Sequence, residues 1–149
     1  MLAVLLPVGL YFGVNAAVAW KLLSPIRQSH PVAEGLTEVA LPSGGEHTLW
    51  AIATPDLAQP SAKVKRVVIF AHGLNGHATQ FGDLQLHLKK SGVESLSLHM
   101  RGHGKSEVRT IGMGVKEADE ILAAVSWVRK NTAPQTQVVV VGISMGGAA

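Results

Sequence analysis

The sequence predicts an α/β domain, and three observations carry that expectation. An apolar run, Val67-Val68-Ile69-Phe70, is followed by helical spacing and then by a second extended stretch, Glu94 to Leu98. A longer amphipathic helix comes next, with Ala118, Ile121, Leu122, Val125 and Val128 recurring at three- or four-residue intervals. The pattern closes on four consecutive valines, Val138 to Val141. Apolar strands separated by helical stretches are the organisation of α/β units, in which crossover helices cover a mostly parallel sheet.

The elements follow in order. Leu2 to Trp20 carry no charged side chain, and as a helix this stretch would reach about 28 Å, close to the hydrocarbon thickness of a bilayer. Residues 1–23 are therefore expected to be a candidate membrane anchor. Pro7, Gly9, Gly13 and Asn15 interrupt the run, so a cleaved signal and a docked helix are the alternatives. Ala17-Val18-Ala19 would suit a signal exit, but no basic residue precedes Lys21. Lys21 and Arg27 put the positive flank after the segment, which places a membrane-associated chain with its following domain on the cytoplasmic side; an exported domain is the alternative.

Residues 24–35 hold Pro25, Pro31, Ser24 and Ser29 with no apolar period, which marks a linker. The folded domain is expected over 36–149. Thr37 to Leu41 and Leu49 to Thr54 are strand candidates joined by the turn signal Pro42-Ser43-Gly44-Gly45. Asp56 to Lys65 is polar and belongs on the surface. Phe81, Leu84 and Leu88 give helical spacing before the stop at Gly92, and the second helix should turn Glu117, Glu120 and Lys130 to solvent. The valine run suits a central parallel strand covered on both faces.

Composition excludes several classes. Hydrophobic residues make up 47% and charged residues 15% of 149 residues, which fits a folded chain and not a disordered one. The net charge of +3 comes from dispersed basic residues, and the nearest cluster, Lys63, Lys65 and Arg66, fits a solvated strand start, so no nucleic-acid partner is expected. No cysteine is present, which removes disulfides, a thiolate nucleophile and cysteine metal ligands. His72, His77, His99 and His103 form no dense ligand motif, so no metal is expected. The glycine-rich segments match neither a P-loop nor a dinucleotide fingerprint, and no cofactor is expected.

The chemistry is concentrated in three glycine-containing segments. Gly142-Ile143-Ser144-Met145-Gly146 completes a G-x-S-x-G pattern directly after the valine strand, where a sharp strand-to-helix turn would expose the Ser144 hydroxyl. Acyl transfer develops negative charge on a carbonyl oxygen, so such a site needs preorganised donors. The backbone N–H of Met145 is one candidate, and the N–H of Leu74, in His72-Gly73-Leu74-Asn75-Gly76 after the first buried strand, is the second. The third segment is Arg101-Gly102-His103-Gly104-Lys105-Ser106.

These motifs, in this order, resemble the α/β-hydrolase superfamily, particularly its monoglyceride-lipase, lysophospholipase and serine-aminopeptidase-like branch, over roughly Thr37 to Ala149. The resemblance implies an incomplete α/β-hydrolase fold with a mostly parallel sheet and flanking helices, preceded by the candidate membrane helix. It implies Ser144 as nucleophile, Leu74 and Met145 as backbone oxyanion donors and His72 as a supporting loop residue. Family members often carry Asp two places before the arginine of the Arg-Gly-His-Gly loop, where this chain has His99.

The family order is Ser, then Asp or Glu, then His, and all seven histidines here precede Ser144. The expectation is a serine hydrolase-like fragment whose parent cleaves carboxylic esters, lipid monoesters among them, through an acyl-enzyme. The chain as given is expected to turn over poorly. Its partners would be a small ester or lipid-like substrate and a membrane. The alternatives are a degenerate hydrolase-like binding protein and a membrane-associated scaffold.

Overall fold

The computed structural model describes residues 13–21, 23–25, 27–28, 30–43 and 47–149. Five strands form one sheet: β1 (Thr37–Pro42), β2 (Thr48–Ala53), β3 (Arg66–Ala71), β4 (Glu94–Leu98) and β5 (Gln137–Gly142), in spatial order β1-β2-β4-β3-β5. A 3-10 turn (Ala78–Phe81) and helix α1 (Gly82–Lys90) connect β3 to β4, and helix α2 (Val115–Asn131) connects β4 to β5. The short helix α3 (Met145–Ala148) follows β5.

The sheet is mixed, which corrects the expectation of a mostly parallel one. β1 pairs antiparallel with β2, and β2 antiparallel with β4, while β3 lies parallel to both β4 and β5. The physical reason lies in the connections. Helical crossovers permit parallel neighbours, whereas the short link from β1 to β2 forces a hairpin, and that hairpin then docks on β4 by its second strand. The alternation of strands and helices predicts direction only downstream of β3.

The side-chain period of two divides β3 between the faces of the sheet. Val67, Ile69 and Ala71 enter a core with Leu96, Leu98 and, from α2, Ala124. On the other face Phe70 stacks on Phe81, with ring centroids 4.7 Å apart and planes at 13°. In α1 the expected apolar stripe is displaced: Leu84 is exposed, and Gln85 is buried with its Nε2 donating to the Ile52 carbonyl at 3.0 Å. The amide finds a backbone acceptor at the sheet, so its burial leaves that donor satisfied.

Helix α2 also departs from its expected face. Glu117 and Glu120 are buried and Leu122 is exposed. Both carboxylates serve backbone donors, Glu117 those of Gly112 and Gly114 and Glu120 that of Arg101. Hydrogen bonding to charged acceptors offsets desolvation, a term that hydrophobic periodicity does not contain.

The valine strand is a further correction. β5 lies at one end of the strand order, and Val139, Val140 and Val141 are exposed. Among the described residues only β3 pairs with it, which leaves its other edge unpaired, and the exposed valines show that its faces are largely uncovered here.

The membrane anchor is also overturned. Residues 13–21 are helical. Among the described residues no helix is long and apolar enough to cross a membrane. The membrane partner and the membrane-associated location that rested on that span are withdrawn with it. The part of the expected span before residue 13 lies outside the described residues. At the end of the expected anchor the Leu23 carbonyl accepts the Ile111 N–H at 3.0 Å, and in the segment expected to be a linker Arg27 Nη2 donates to the carbonyls of Gly104, at 2.8 Å, and Ser106.

Candidate active site

Because β3, β4 and β5 run parallel, their C-terminal ends open on the same edge of the sheet. The three glycine-containing segments singled out in the sequence leave from these ends. The sheet therefore gathers residues 72–76, 101–106 and 142–146 along one rim, the usual location of sites in open α/β sheets.

Ser144 sits at the turn from β5 into α3 with φ 52° and ψ −116°, a left-handed backbone that a residue with a Cβ seldom adopts. The turn is held by its own backbone. Gly146 N–H donates to the Ile143 carbonyl at 3.0 Å, while Gly147 and Ala148 N–H donate to the Ser144 carbonyl at 2.9 and 3.0 Å. The Ile143 N–H bonds the Ala71 carbonyl at 3.0 Å, tying the turn to the end of β3. Space is equally restrictive: a Cβ on Gly142 would lie 2.1 Å from the Gly146 carbonyl oxygen, and one on Gly146 would lie 2.4 Å from that of Ala71. The Ser144 side is exposed.

The loop after β3 approaches the serine from one side. A Cβ on Gly73 would be 3.1 Å from Ser144 Cβ and 3.7 Å from its Oγ, so glycine lets this backbone lie against the hydroxyl. Neither the Leu74 N–H nor the Met145 N–H donates a hydrogen bond within the described residues. For Met145 this follows from its place in the first turn of α3, where N–H groups have no intrahelical partner.

His72 is buried, with Nδ1 2.8 Å from the Gly73 carbonyl oxygen and its ring edge-on to His103 at 4.8 Å between centroids. The carbonyl accepts, so Nδ1 carries the proton and the unpartnered Nε2 is left bare. Burial pushes its pKa down to about 4, against the opposing effect of the Gly73 carbonyl. The ring is therefore neutral near pH 7.

No histidine or carboxylate hydrogen-bonds the Ser144 hydroxyl among the described residues. His47 pairs with Glu120 at 3.2 Å, His77 with Thr79 Oγ1 at 2.7 Å, and His30 stacks on His77 at 3.9 Å between centroids. His99 Nδ1 accepts the Lys105 N–H at 3.4 Å, and Glu38 of β1 brings a carboxylate within 3.7 Å of its Nε2 and 2.6 Å of Lys105 Nζ. A carboxylate thus does stand beside the Arg-Gly-His-Gly loop, supplied by another strand. Sequence reasoning could not have found it, since Glu38 and His99 belong to distant segments. The structure also brings in Asn75 and His103, whose contact is described below, and Glu117, whose carboxylate cannot be distinguished in sequence from a solvated one.

A groove of about 530 Å³ lies elsewhere, between the β1–β2 hairpin and α2, lined by His47, Arg101, Glu120 and Trp127 among others. Ser144 is not part of its wall. Among the described residues no group of histidines and carboxylates could hold a metal ion.

The family model described as serine aminopeptidase, S33, matches residues 62–149, more than half of the chain. The chain belongs to this family. Membership brings general serine-hydrolase and esterase-like character, and the matched region contains all three rim segments. Among solved structures, the Pyrococcus furiosus esterase Pf2001 is similar with a TM-score of 0.67 and 23% identity, over 85% of this chain and 48% of that one. The α/β hydrolase GrgF from a Penicillium species gives 0.63 and 19%, over 75% and 38%. Est1E from Butyrivibrio proteoclasticus, solved with ferulic acid, gives 0.59 and 26%, over 73% and 43%. The chain thus spans about half the length of the esterase structure it matches. No curated protein matches it.

Proposed function

We propose that Ser144 is the nucleophile of a carboxylic-ester hydrolase, with the Leu74 and Met145 N–H groups as its oxyanion donors and His72 as a buried support of the donor loop. One observation carries the reading: an exposed serine hydroxyl on a positive-φ turn, packed against the Gly73 backbone, with two neighbouring N–H groups unspent. The neighbours described as esterases support esters over amides as the substrate class. Lipid monoesters are one candidate within that class.

In this mechanism Ser144 Oγ attacks the ester carbonyl carbon, the carbonyl oxygen takes the negative charge, and the two N–H groups receive it. Collapse expels the alcohol and leaves an acyl-serine, which water resolves. A lost oxyanion donor typically costs about 10²–10³ in rate. The step also needs a base for the serine proton, and the seven histidines are engaged elsewhere or unbonded to it. Turnover by these 149 residues is therefore slow, while attack on a strongly activated electrophile persists.

Labelling with a fluorophosphonate and hydrolysis of short- and long-chain aryl esters test the reading. The expected result is a covalent adduct mapped to Ser144 and absent in Ser144→Ala, with hydrolysis far below about 10 per second. Tight ester binding with no adduct would instead favour a degenerate binding protein. Fast turnover unaffected by Ser144→Ala would overturn the proposal.

A further inference from the structure

His103 is fully buried at the rim, and neither of its described ring hydrogen bonds is to Ser144. Its two ring nitrogens face opposite kinds of partner. Nδ1 lies 2.9 Å from the Arg101 carbonyl oxygen, which can only accept, and Nε2 lies 3.0 Å from the Asn75 backbone nitrogen, which can only donate. Both contacts call for the same neutral tautomer, with the proton on Nδ1 and a lone pair on Nε2.

The ring is itself held. The His103 N–H donates to the Met100 carbonyl and its own carbonyl accepts the Ser106 N–H, each at 3.0 Å, and Arg27 clamps the carbonyls on either side of Lys105. Five neighbouring groups bear on its charge. Arg27 from the N-terminal segment disfavours a proton, as does any charge on His72 beside it, while the Arg101 carbonyl, Glu117 of α2 and the Met100 carbonyl favour one. Burial outweighs them and keeps the pKa below its ordinary value.

Asn75 stands at φ 58°, one residue after Leu74 and two after the Gly73 backbone that lies against Ser144. Its N–H is one point at which the loop after β3 is fastened to the loop after β4. We propose that His103 is a positioning residue: by accepting the Asn75 N–H it fixes the Leu74–Asn75 peptide, and this anchors the downstream side of Leu74, whose own N–H lies in the adjacent Gly73–Leu74 peptide held at the Gly73 carbonyl by Gly76 N–H and His72 Nδ1, so that the Leu74 N–H stays aimed at the oxyanion. This rests on the Ser144 reading above and adds to it a residue that touches neither substrate nor nucleophile.

The test compares the full chain with His103→Phe, which keeps a ring and loses the acceptor, and His103→Gln, whose Oε1 can stand where Nε2 stood. Two quantities are read in each: amide hydrogen exchange at Asn75, and the rate constant for fluorophosphonate labelling of Ser144. In His103→Phe, exchange at Asn75 is expected to speed at least about tenfold and labelling to slow at least about tenfold, the scale of a displaced oxyanion donor. His103→Gln should recover most of both. Should His103→Phe fail to fold, His103→Asn, too short to reach Asn75, replaces it against His103→Gln.

Unchanged exchange and labelling in the acceptor-deleted variant would overturn the inference, as would a folded His103→Gln as impaired as His103→Phe. A wild-type chain that takes no label at Ser144 overturns the nucleophile reading itself, a result distinguishable because it appears before any substitution is made.

Discussion

The His99 imidazole lies so close beneath Gly104 that a Cβ at position 104 would fall 2.3 Å from Nδ1. Gly104 also holds φ 48°, and His99 Nδ1 accepts the neighbouring Lys105 N–H. Glycine and histidine at these positions are therefore one structural unit. Gly104→Ala should destabilise the chain by roughly 2–4 kcal/mol, through left-handed strain added to a backbone-ring clash. Urea unfolding of wild type and variant measures it; a loss under about 0.5 kcal/mol, typical of neutral surface changes, would contradict the geometry.

Stability should fall as the solution is acidified below the ordinary histidine range. Burial pushes the pKa values of both His72 and His99 down to about 4, from a usual 6.5. Between those values the unfolded chain binds protons that the folded chain refuses, so unfolding free energy rises with pH in that window. The stability is fully present above 6.5 and is lost progressively toward 4, with a contribution on the order of 3 kcal/mol for each ring. Glu120 works in the opposite sense, since burial raises its pKa despite the bonds from Arg101 and His47. Denaturant midpoints at pH 7.5, 6 and 5 should decline in that order, and His72→Phe should flatten the decline.

Glycines around the serine turn should differ sharply in tolerance. Gly142→Ala and Gly146→Ala place a Cβ within 2.1 and 2.4 Å of rigid carbonyl oxygens, whereas a Cβ on Gly147 would lie 3.1 Å from the Gly142 oxygen. The first two should cost at least about 3 kcal/mol and abolish Ser144 labelling; Gly147→Ala should cost about 1 kcal/mol and retain it. Labelling of purified variants beside their thermal transitions checks both halves.

Glu117 should prove to be a structural anion. Its Oε1 and Oε2 accept the N–H groups of Gly112 and Gly114 at 2.7 and 2.8 Å while the residue is fully buried. Glu117→Ala strands two donors at the start of α2 and should cost roughly 2–4 kcal/mol. Glu117→Gln keeps one acceptor and should lose about half as much, by the same denaturant measurement.

Much of the fold was legible before any coordinates. The hairpin, β3, β4, α2 and β5 lie within a residue or two of their predicted places, because β-branched runs, helical spacing and glycine stops are local signals. Strand direction was not legible upstream of β3. Which neighbour a hairpin chooses depends on docking to β4, and no local pattern records that partner.

The site divides in the same way. Gly-x-Ser-x-Gly after a valine strand located the turn at Ser144, since the sharp bend needs small residues at fixed offsets. Leu74 and Met145 were named as candidate donors from their places in the glycine-containing segments, and His72 from the family resemblance. The buried carboxylates Glu117 and Glu120, the partnership of Glu38 with His99 and Lys105, and the bond from Asn75 to His103 were decided only by tertiary structure. Each joins residues through backbone donors or charges brought together by the parallel strands. A sequence states which groups are available to bond, but desolvation and distance, which exist only once the chain is packed, determine which of them do.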